Sequence, residues 1–417
     1  MSGEVASAGT YTVELDTGFL QDAFLLDTSL LDGVDVLDGS TQFADITAYV
    51  TAVSYTRGRK RQYDQFGAGT LSFTLNDTLA GGLLNPYDTT SIYYDSTLNV
   101  PGLAPMRKVR VKRENTYLFN GIVESYDYEY NTDRQNFVDV KCVDDFFLLA
   151  NTFMEAFNPT AETSGQRINT VLALPEVDYQ GTTSISAGTV DLGHSAAYDV
   201  AAGTNVLAYL QDINNTAEFG RLFIDADGVL TFQDRIGNTL SNPAAVFSDQ
   251  GTDLKFRTVG IQFDAREVVN RATVTGLNGN TDTDTDAASQ ALYFVQTKDV
   301  TGSLLDTAGQ ITAAATYLLA PAPEPRLTAV TTNLALLTDP QRDIVAAVDI
   351  GDTIEITVNV ENYGTITEEL SVEGIDGLIV LDGGHTITFY TATTTVIYEL
   401  ILDDAVYGTI DTTNVLG

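Results

Sequence analysis

Three short runs of alternating apolar and polar residues, separated by polar turns, lie within residues 107–150 and constrain the fold more than any other stretch. In the first run, Val109 and Val111 alternate with basic residues. Such period-two patterning is typical of strands that bury one face. The third run breaks at Asp144-Asp145 and is followed by four apolar residues. The stretch therefore predicts an antiparallel meander closed by a short helix.

Alternating runs recur on both sides of this meander. Gly, Asp and Asn turns separate them, with Gly377 among the turn glycines, which favours small barrels or sandwiches. The expected strands are Tyr11 to Leu15 and residues 46–55, 71–75, 327–336, 354–360, 365–374, 378–381 and 386–390, with Asp-rich turns at 30–38. One helix is expected at 304–318, where apolar residues repeat at steps of three and four before Pro321. The sequence predicts a mainly β protein with two antiparallel β-barrel-like domains.

The pattern changes in the middle of the chain. Residues 166–174 and 205–217 have helical spacing, with Thr204 as the expected N-cap. The Asp225 to Gly228 turn between two alternating runs predicts a hairpin. We therefore expect a first β-barrel domain at residues 1–150, a smaller mixed α+β insert at 151–250, and a second β-barrel domain with one helix at 251–417.

The charge of the chain is strongly negative and unevenly distributed. Its 417 residues carry 57 acids and 21 bases, a formal net charge of -36, which disfavours binding to nucleic acid phosphates. Residues 1–56 and 343–417 contain no Lys or Arg, whereas 11 of the 21 bases lie between Arg57 and Lys141. A salt-rich habitat or simple solubility would explain the acidity. The alternative is an assembly in which charge sorts contacting surfaces from solvent surfaces.

The densest basic cluster comprises Arg57, Arg59, Lys60 and Arg61. It is either a solvated strand end or a docking surface for an acidic neighbour. Because bases are scarce elsewhere, we treat these four residues as a candidate subunit contact. The acidic neighbour could be another copy of the same chain.

Signatures of enzyme or metal chemistry are absent from the sequence. The two histidines, His194 and His385, lie in no metal-binding motif, and the chain contains neither a G-x-S-x-G elbow nor a phosphate-binding P-loop. The single cysteine, Cys142, excludes an intramolecular disulfide and is expected to be a buried structural thiol. We therefore expect no catalytic site, no cofactor and no metal.

Three alternating aspartates, Asp282, Asp284 and Asp286, resemble the start of a calcium loop. They lack the Gly and the distal Glu of that pattern, and a solvated, mobile loop is the preferred interpretation.

No apolar run reaches the ~18 residues of a membrane span, and the N-terminus has no secretory pattern. A soluble protein made in the cytoplasm of its host is expected.

The central meander also carries a resemblance to a known family. Residues 107–150 resemble the minor tail proteins of long-tailed bacteriophages, which are related in fold to the hub proteins of tail baseplates. The run that carries the resemblance reads RKVRVKRENTYLFNGIVESYDYEYNTDRQNFVDVKCVDDFFLLA. Further similar stretches follow the family's order at residues 44–77, 83–95, 216–235, 348–358 and 400–417. Together they cover most of the chain, and none is a catalytic signature.

The resemblance implies a structural role in the virion, at the tail tip. A homotrimeric hub ring would close the end of the tail tube and leave a central channel for DNA ejection. Its partners would be the distal tail protein at the tube end, spike or fibre proteins and the tape measure protein. The alternatives are a carbohydrate-binding adhesin, for which Trp is absent but 20 Tyr are present, and a cell-wall hydrolase.

Overall fold

The computed structural model describes residues 4–5, 8–17, 43–61, 64–96, 99–132, 136–235, 243–320, 325–362, 364–380, 384–393, 398–399 and 414–415. The turns expected at 30–38 and most of the stretch 400–417 lie outside these residues.

We describe the chain as a first part (residues 1–150), a middle part (151–250) and a last part (251–417), each with its own strands and helices. The first part contains β1 (Glu4–Val5), β2 (Gly9–Asp16), β3 (Phe43–Asp45), β4 (Val50–Gly58), β5 (Thr70–Asn76), β6 (Tyr94–Asp95), β7 (Val100–Pro101), β8 (Lys108–Arg113), β9 (Thr116–Glu129), β10 (Phe137–Val143) and α1 (Phe146–Ala150). The middle part contains β11 (Phe153–Met154), β12 (Glu162–Thr163), α2 (Ser164–Leu172), β13 (Thr183–Ile185), β14 (Asp191–Leu192), β15 (Thr204–Asn205), α3 (Val206–Ile213), β16 (Arg221–Ile224), β17 (Leu230–Gln233) and β18 (Ala245–Ser248). The last part contains β19 (Thr258–Gln262), β20 (Arg271–Gly276), β21 (Thr281–Thr285), α4 (Ala287–Tyr293), β22 (Thr297–Ser303), α5 (Ala308–Tyr317), β23 (Arg326–Asn333), α6 (Asp339–Ala347), β24 (Thr353–Val360), β25 (Gly364–Val380), β26 (Gly384–Thr393), β27 (Tyr398–Glu399) and β28 (Asn414–Val415).

The meander predicted for residues 107–150 is confirmed. Strand β9 pairs antiparallel with both β8 and β10, and α1 follows β10. Val109 and Val111 are fully buried, as their alternation with basic residues predicts. Cys142 is 1% exposed, and burial raises the pKa of its thiol well above the usual range. It is therefore a structural thiol, as expected.

One fourteen-stranded sheet dominates the fold, and the mainly β expectation is confirmed. Its strand order is β1-β2-β8-β9-β10-β5-β4-β25-β26-β23-β19, with β3 added on β2, β24 on β25, and β18 on β24. Most neighbours are antiparallel, whereas β18 and β24 are parallel. Strands from both outer parts of the chain thus share a single sheet. The domain boundaries near residues 150 and 250 remain a prediction.

Curvature brings the two ends of the run β2-β8-β9-β10-β5-β4 together. Tyr11 of β2 and Tyr55 of β4 lie at opposite ends of this run, yet their hydroxyls are 3.0 Å from Nδ1 and Nε2 of the same buried His385. Strand β3, which pairs with β2, leads through a 3-10 turn into β4. The curvature is therefore barrel-like, but the hydrogen-bonded path through the described strands ends at β1 and β19 and does not close.

The pairing between β4 and β25, which we call the seam, joins the two outer parts of the chain. It runs from Gly374 opposite Gly58 to Val380 opposite Ala52. The other edge of the same stretch of β25 pairs with β26, and the first half of β25 pairs with β24. β25 is therefore the strand at which the sheet branches.

The helices and the hairpin predicted for the middle part are present. α2 and α3 fall within or close to the expected ranges, and a π-helical turn, Asn214–Glu218, continues α3. The N-cap is Asn205 rather than Thr204, because the Asn205 side chain accepts a hydrogen bond from the Ala208 amide at 3.0 Å. β16 and β17 form the expected hairpin around Gly228, whose φ is +81°.

Two expectations for the last part are wrong. First, residues 365–374 and 378–381 were predicted as separate strands, whereas β25 runs without a break to Val380. Gly377 marks a close contact rather than a turn, since a Cβ there would lie 2.0 Å from the Tyr55 ring. Second, one helix was expected, but the described residues of this part contain α4, α5 and α6. The expected helix is α5, which starts at Ala308 behind a Thr307 capping box and leaves Leu304 outside.

The expected mobile loop at Asp282, Asp284 and Asp286 is also wrong, because residues 281–285 form strand β21. The carboxylates of Asp282 and Asp284 accept hydrogen bonds from Thr312 and Thr316 of α5, at 2.5 and 2.7 Å. Asp286 caps α4 through the Ser289 amide. The alternation thus serves strand-to-helix packing and helix capping.

Gly58 tests how tightly the seam is packed. Its φ is +79°, and a Cβ would lie 2.3 Å from the Glu373 carbonyl oxygen. Gly81 has a similar φ of +71° with nothing within 4 Å, so Gly81→Ala measures the left-handed strain alone, about 1–2 kcal/mol. We expect Gly58→Ala to lower the free energy of unfolding by a further ~1–3 kcal/mol through overpacking, measured by urea denaturation. Equal losses for the two variants would contradict the close contact.

His385 provides a pH test of the curvature. Burial, together with the nearby Arg113, lowers the pKa of His385 to about 3. Below about pH 6.5 the His385 ring binds a proton in the unfolded chain but stays neutral in the folded chain. The free energy of unfolding therefore falls as the pH drops from 6.5 towards 3. His385→Gln should remove about 2 kcal/mol of the stability difference between pH 7 and pH 5. The exposed His194, changed to Gln, is the matched control and should keep the wild-type profile in denaturation curves.

Candidate functional site

The predicted basic cluster lies at the end of β4, on the flank of the seam. Arg57 is 5% exposed, and its Nη1 lies 2.5 Å from Asp349 Oδ1. The second oxygen of Asp349 accepts the Ala226 amide of the β16–β17 turn at 2.8 Å. Arg57 thus connects β4 both to the segment before β24 and, through Asp349, to the middle part of the chain.

Arg59 shares a buried carboxylate with an arginine from the middle part. Glu373 of β25 is 2% exposed. Its Oε2 lies 2.7 Å from Arg59 Nη2, and its Oε1 lies 2.7 Å from Arg221 Nη2. Burial alone would raise the pKa of Glu373, but the Arg221 and Arg59 guanidinium groups hold it below its usual range. The carboxylate therefore stays charged and fixes both guanidinium groups.

Lys60 and Arg61 are nearer to solvent. Lys60 Nζ lies 2.7 Å from Asp376 Oδ2 and 4.9 Å from the centroid of the Tyr390 ring. The Lys60 side chain is 56% exposed. Arg61 is exposed. Hydrogen bonds with Arg266 lower the pKa of Asp264 to about 2, and the charge of Arg61 contributes a smaller part.

Three of the four cluster residues thus pair with acids of the last third of the same chain. This clasp, which we define as Arg57, Arg59 and Lys60 with Asp349, Glu373 and Asp376, crosses the seam. The clasp explains the uneven distribution of charge without a second chain. The bases near residue 60 pair with acids from residues 343–417, a segment that contains no Lys or Arg. A contact of the cluster with another chain remains a prediction, for which Arg61 and the exposed end of Lys60 are the accessible members.

A pocket of about 330 Å³ opens beside the clasp. All three parts of the chain contribute to its wall. The lining residues are Arg59, Asp64, Gln65, Asn214, Asn215, Phe219, Gly220, Arg221, Asp234, Arg235, Lys298, Val300, Tyr317, Leu318, Glu373 and Thr393. Four are cationic and three are acidic, so the pocket is net positive in a chain whose net charge is -36.

The cations of this pocket differ in their surroundings. Arg59 and Arg221 are bound to Glu373. Within the described part of the chain, neither the Arg235 guanidinium nor the Lys298 ammonium group lies within ion-pair distance of a carboxylate, and Glu218 contacts Arg235 only at its backbone amide. The Arg235 guanidinium lies 5.5 Å from the centroid of the Tyr317 ring, a cation–π arrangement. Lys298 shares a face of β22 with Val300, since side chains alternate along a strand.

Sequence reasoning missed Glu373, Arg221 and the pocket. Glu373 alternates with Val372 and lies close to Ser371 and Asp376, as an exposed residue of a half-buried strand would, so its burial had no signal in the sequence. A buried charge needs a partner of opposite charge. The identity of that partner had no sequence signal, because Arg221 lies 152 positions earlier.

The described residues contain neither a cluster of metal-ligating side chains nor a membrane-spanning helix. No group of three or more His, Cys, Asp or Glu side chains there could hold a metal ion. No described helix is both long enough and apolar enough to cross a membrane.

The fold is similar to those of two tail proteins of known structure. The tail protein from Neisseria meningitidis MC58 aligns with 93% of this chain over 96% of its own length, with a TM-score of 0.57 and 13% identity. The 43 kDa tail protein of prophage MuSo2 from Shewanella oneidensis aligns with 92% of this chain over 98% of its own length, with a TM-score of 0.51 and 12% identity. No protein-family model and no curated protein matches the sequence. At these identities the likeness shows a shared fold.

The clasp predicts that the loss of a buried ion pair lowers the free energy of unfolding far more than the loss of an exposed one. Glu373→Gln keeps the side-chain shape but leaves two guanidinium groups near the seam without their counter-charge, so the free energy of unfolding should fall by about 3–5 kcal/mol. Lys60→Met removes an exposed pair and should cost about 0–1 kcal/mol. Urea denaturation followed by circular dichroism measures both. Similar losses for the two variants would refute the central role of Glu373.

Proposed function

We propose that this protein is a structural component of a bacteriophage tail, located at the tail tip or baseplate. The observation that carries the proposal is the fold, which is shared with two tail proteins over nearly the full length of each chain. The tail-protein resemblance of the 107–150 meander adds independent support. No catalytic role is part of the proposal.

Within the tail, the protein acts as a hub ring that closes the end of the tube. Identical chains in head-to-tail contact close into a ring when the rotation between them closes. Each chain carries β strands from two outer parts, joined at the seam. Three chains therefore present six sets of strands, which lets a threefold hub match a sixfold tube.

The partners of the ring follow from this position. The distal tail protein contacts one side of the ring, spike or fibre proteins contact the other, and the tape measure protein ends at its channel. Arg61, the exposed cluster member outside the clasp, lies at the contact between subunits. Opposite charges at such a rim steer association and set register.

The net charge of -36 fits a channel that passes DNA. A channel wall of mainly negative charge repels phosphates and so avoids the tight non-specific binding that a basic wall would produce. The protein therefore guides DNA during ejection without binding it specifically.

A reconstruction of the intact particle tests this proposal. We expect three copies around the tail axis, an acidic channel wall and Arg61 within a subunit contact. A different copy number would reject the trimer, and Arg61 in open solvent would reject the subunit contact. Absence of the chain from purified particles would reject the tail role itself.

A further inference from the structure

The pocket beside the clasp has the properties of a ligand site rather than of a packing defect. Its volume of about 330 Å³ lies at the lower end of the ~300–1,000 Å³ typical of small-molecule sites. Packing defects in protein cores are seldom larger than a water molecule. The wall also contains cations, acids, amides and aromatic rings, and polar groups placed in this way fix the orientation of a ligand.

The wall is rigid where it carries the most charge. Both oxygens of Glu373 bind guanidinium groups, and Arg221 Nη2 also donates to Ser371 Oγ at 2.7 Å. Arg59 Nε donates to Glu373 Oε2 at 2.8 Å. Because these side chains are fixed before any ligand arrives, binding would cost little ordering entropy.

Arg235 and Lys298 are the cations that a ligand would meet. They line the same pocket and lie outside ion-pair distance of the carboxylates in the described part of the chain. Bases are scarce in this protein, 21 in 417 residues. These two cations have no carboxylate partner among the described residues, and the four cations of the wall outnumber its three acids, so the pocket favours an anionic group.

The remaining wall indicates what the anionic group is attached to. The amides of Gln65 and Asn215 offer hydrogen bonds to hydroxyl groups. Phe219 and Tyr317, whose ring centroids are 5.7 Å apart, form an apolar side. A molecule with a charge, several hydroxyls and an apolar ring face matches all three features.

We propose that this pocket binds an acidic sugar unit, whose carboxylate or phosphate group is held by Arg235 and Lys298. The hydroxyls of the sugar bind the amides, and its apolar face packs on the aromatic side. This inference is independent of the tail role, since it depends only on the wall of the pocket.

Titration calorimetry on the full chain tests the site with defined probes. Glucuronate carries the carboxylate, glucose 6-phosphate carries the phosphate, and their relative affinities distinguish the two groups. We expect at least one of them to bind with a Kd of about 1 mM or tighter. Glucose, which lacks the charge, and acetate and inorganic phosphate, which lack the sugar, should each bind at least about tenfold more weakly.

Three substitutions locate the binding. Arg235→Gln and Lys298→Gln should each weaken the preferred sugar by about tenfold or more, because each removes a charged hydrogen-bond donor. Lys141→Gln is the matched control, since it removes one positive charge at an exposed pair with Asp127 and should leave the affinity unchanged. Unchanged circular dichroism melting curves verify that the pocket variants fold.

Several outcomes would overturn the proposal. One is the absence of binding by either charged sugar at about 10 mM, and another is equal binding of glucose. Affinity for acetate or inorganic phosphate equal to that for the sugars would leave a simple anion site. Tighter binding of an oligoaspartate peptide, with the same sensitivity to Arg235→Gln and Lys298→Gln, would assign the pocket to an acidic protein segment instead.

Discussion

The pairing of β4 with β25 is the contact on which the rest of this structure depends. Without it, the strands of the first part and those of the last part would form two separate sheets. Its backbone approach is so close that Gly58 and Gly374 face each other across the seam, and Gly377 lies directly against the Tyr55 ring. Side chains then reinforce the backbone from one flank, through the clasp, and His385 joins β2 to β4 within the curved sheet.

The clasp shows how a strongly acidic chain uses its few bases. Burying an arginine or a glutamate costs several kcal/mol unless it is paired and hydrogen-bonded. Each buried charge in this protein therefore requires a partner of opposite charge beside it. Arg57 and Glu373 meet this condition with partners from other parts of the sequence. Arg113, 3% exposed, does so with Asp343. These pairs join segments that are far apart in the sequence.

The clasp and the pocket are physically coupled, because Glu373 belongs to both. The carboxylate that stabilises the seam also fixes two guanidinium groups in the pocket wall. An occupant of the pocket would therefore contact residues that hold the first and last parts of the chain together.

The sequence by itself determined the local elements. The period-two runs predicted β2, β4, β5, β8, β9, β10, β23, β24 and β26, and the Asp225 to Gly228 turn predicted its hairpin, because alternation and turn chemistry are encoded within a few neighbouring residues. Tertiary structure alone decided the seam, the partner of Glu373 and the packing of Asp282 and Asp284 against α5. Gly377 was assigned to a turn because a glycine's sequence neighbours do not reveal that an aromatic ring will lie against it. Each of these features depends on residues far apart in the sequence, and a contact between distant segments leaves no periodic signal in either one.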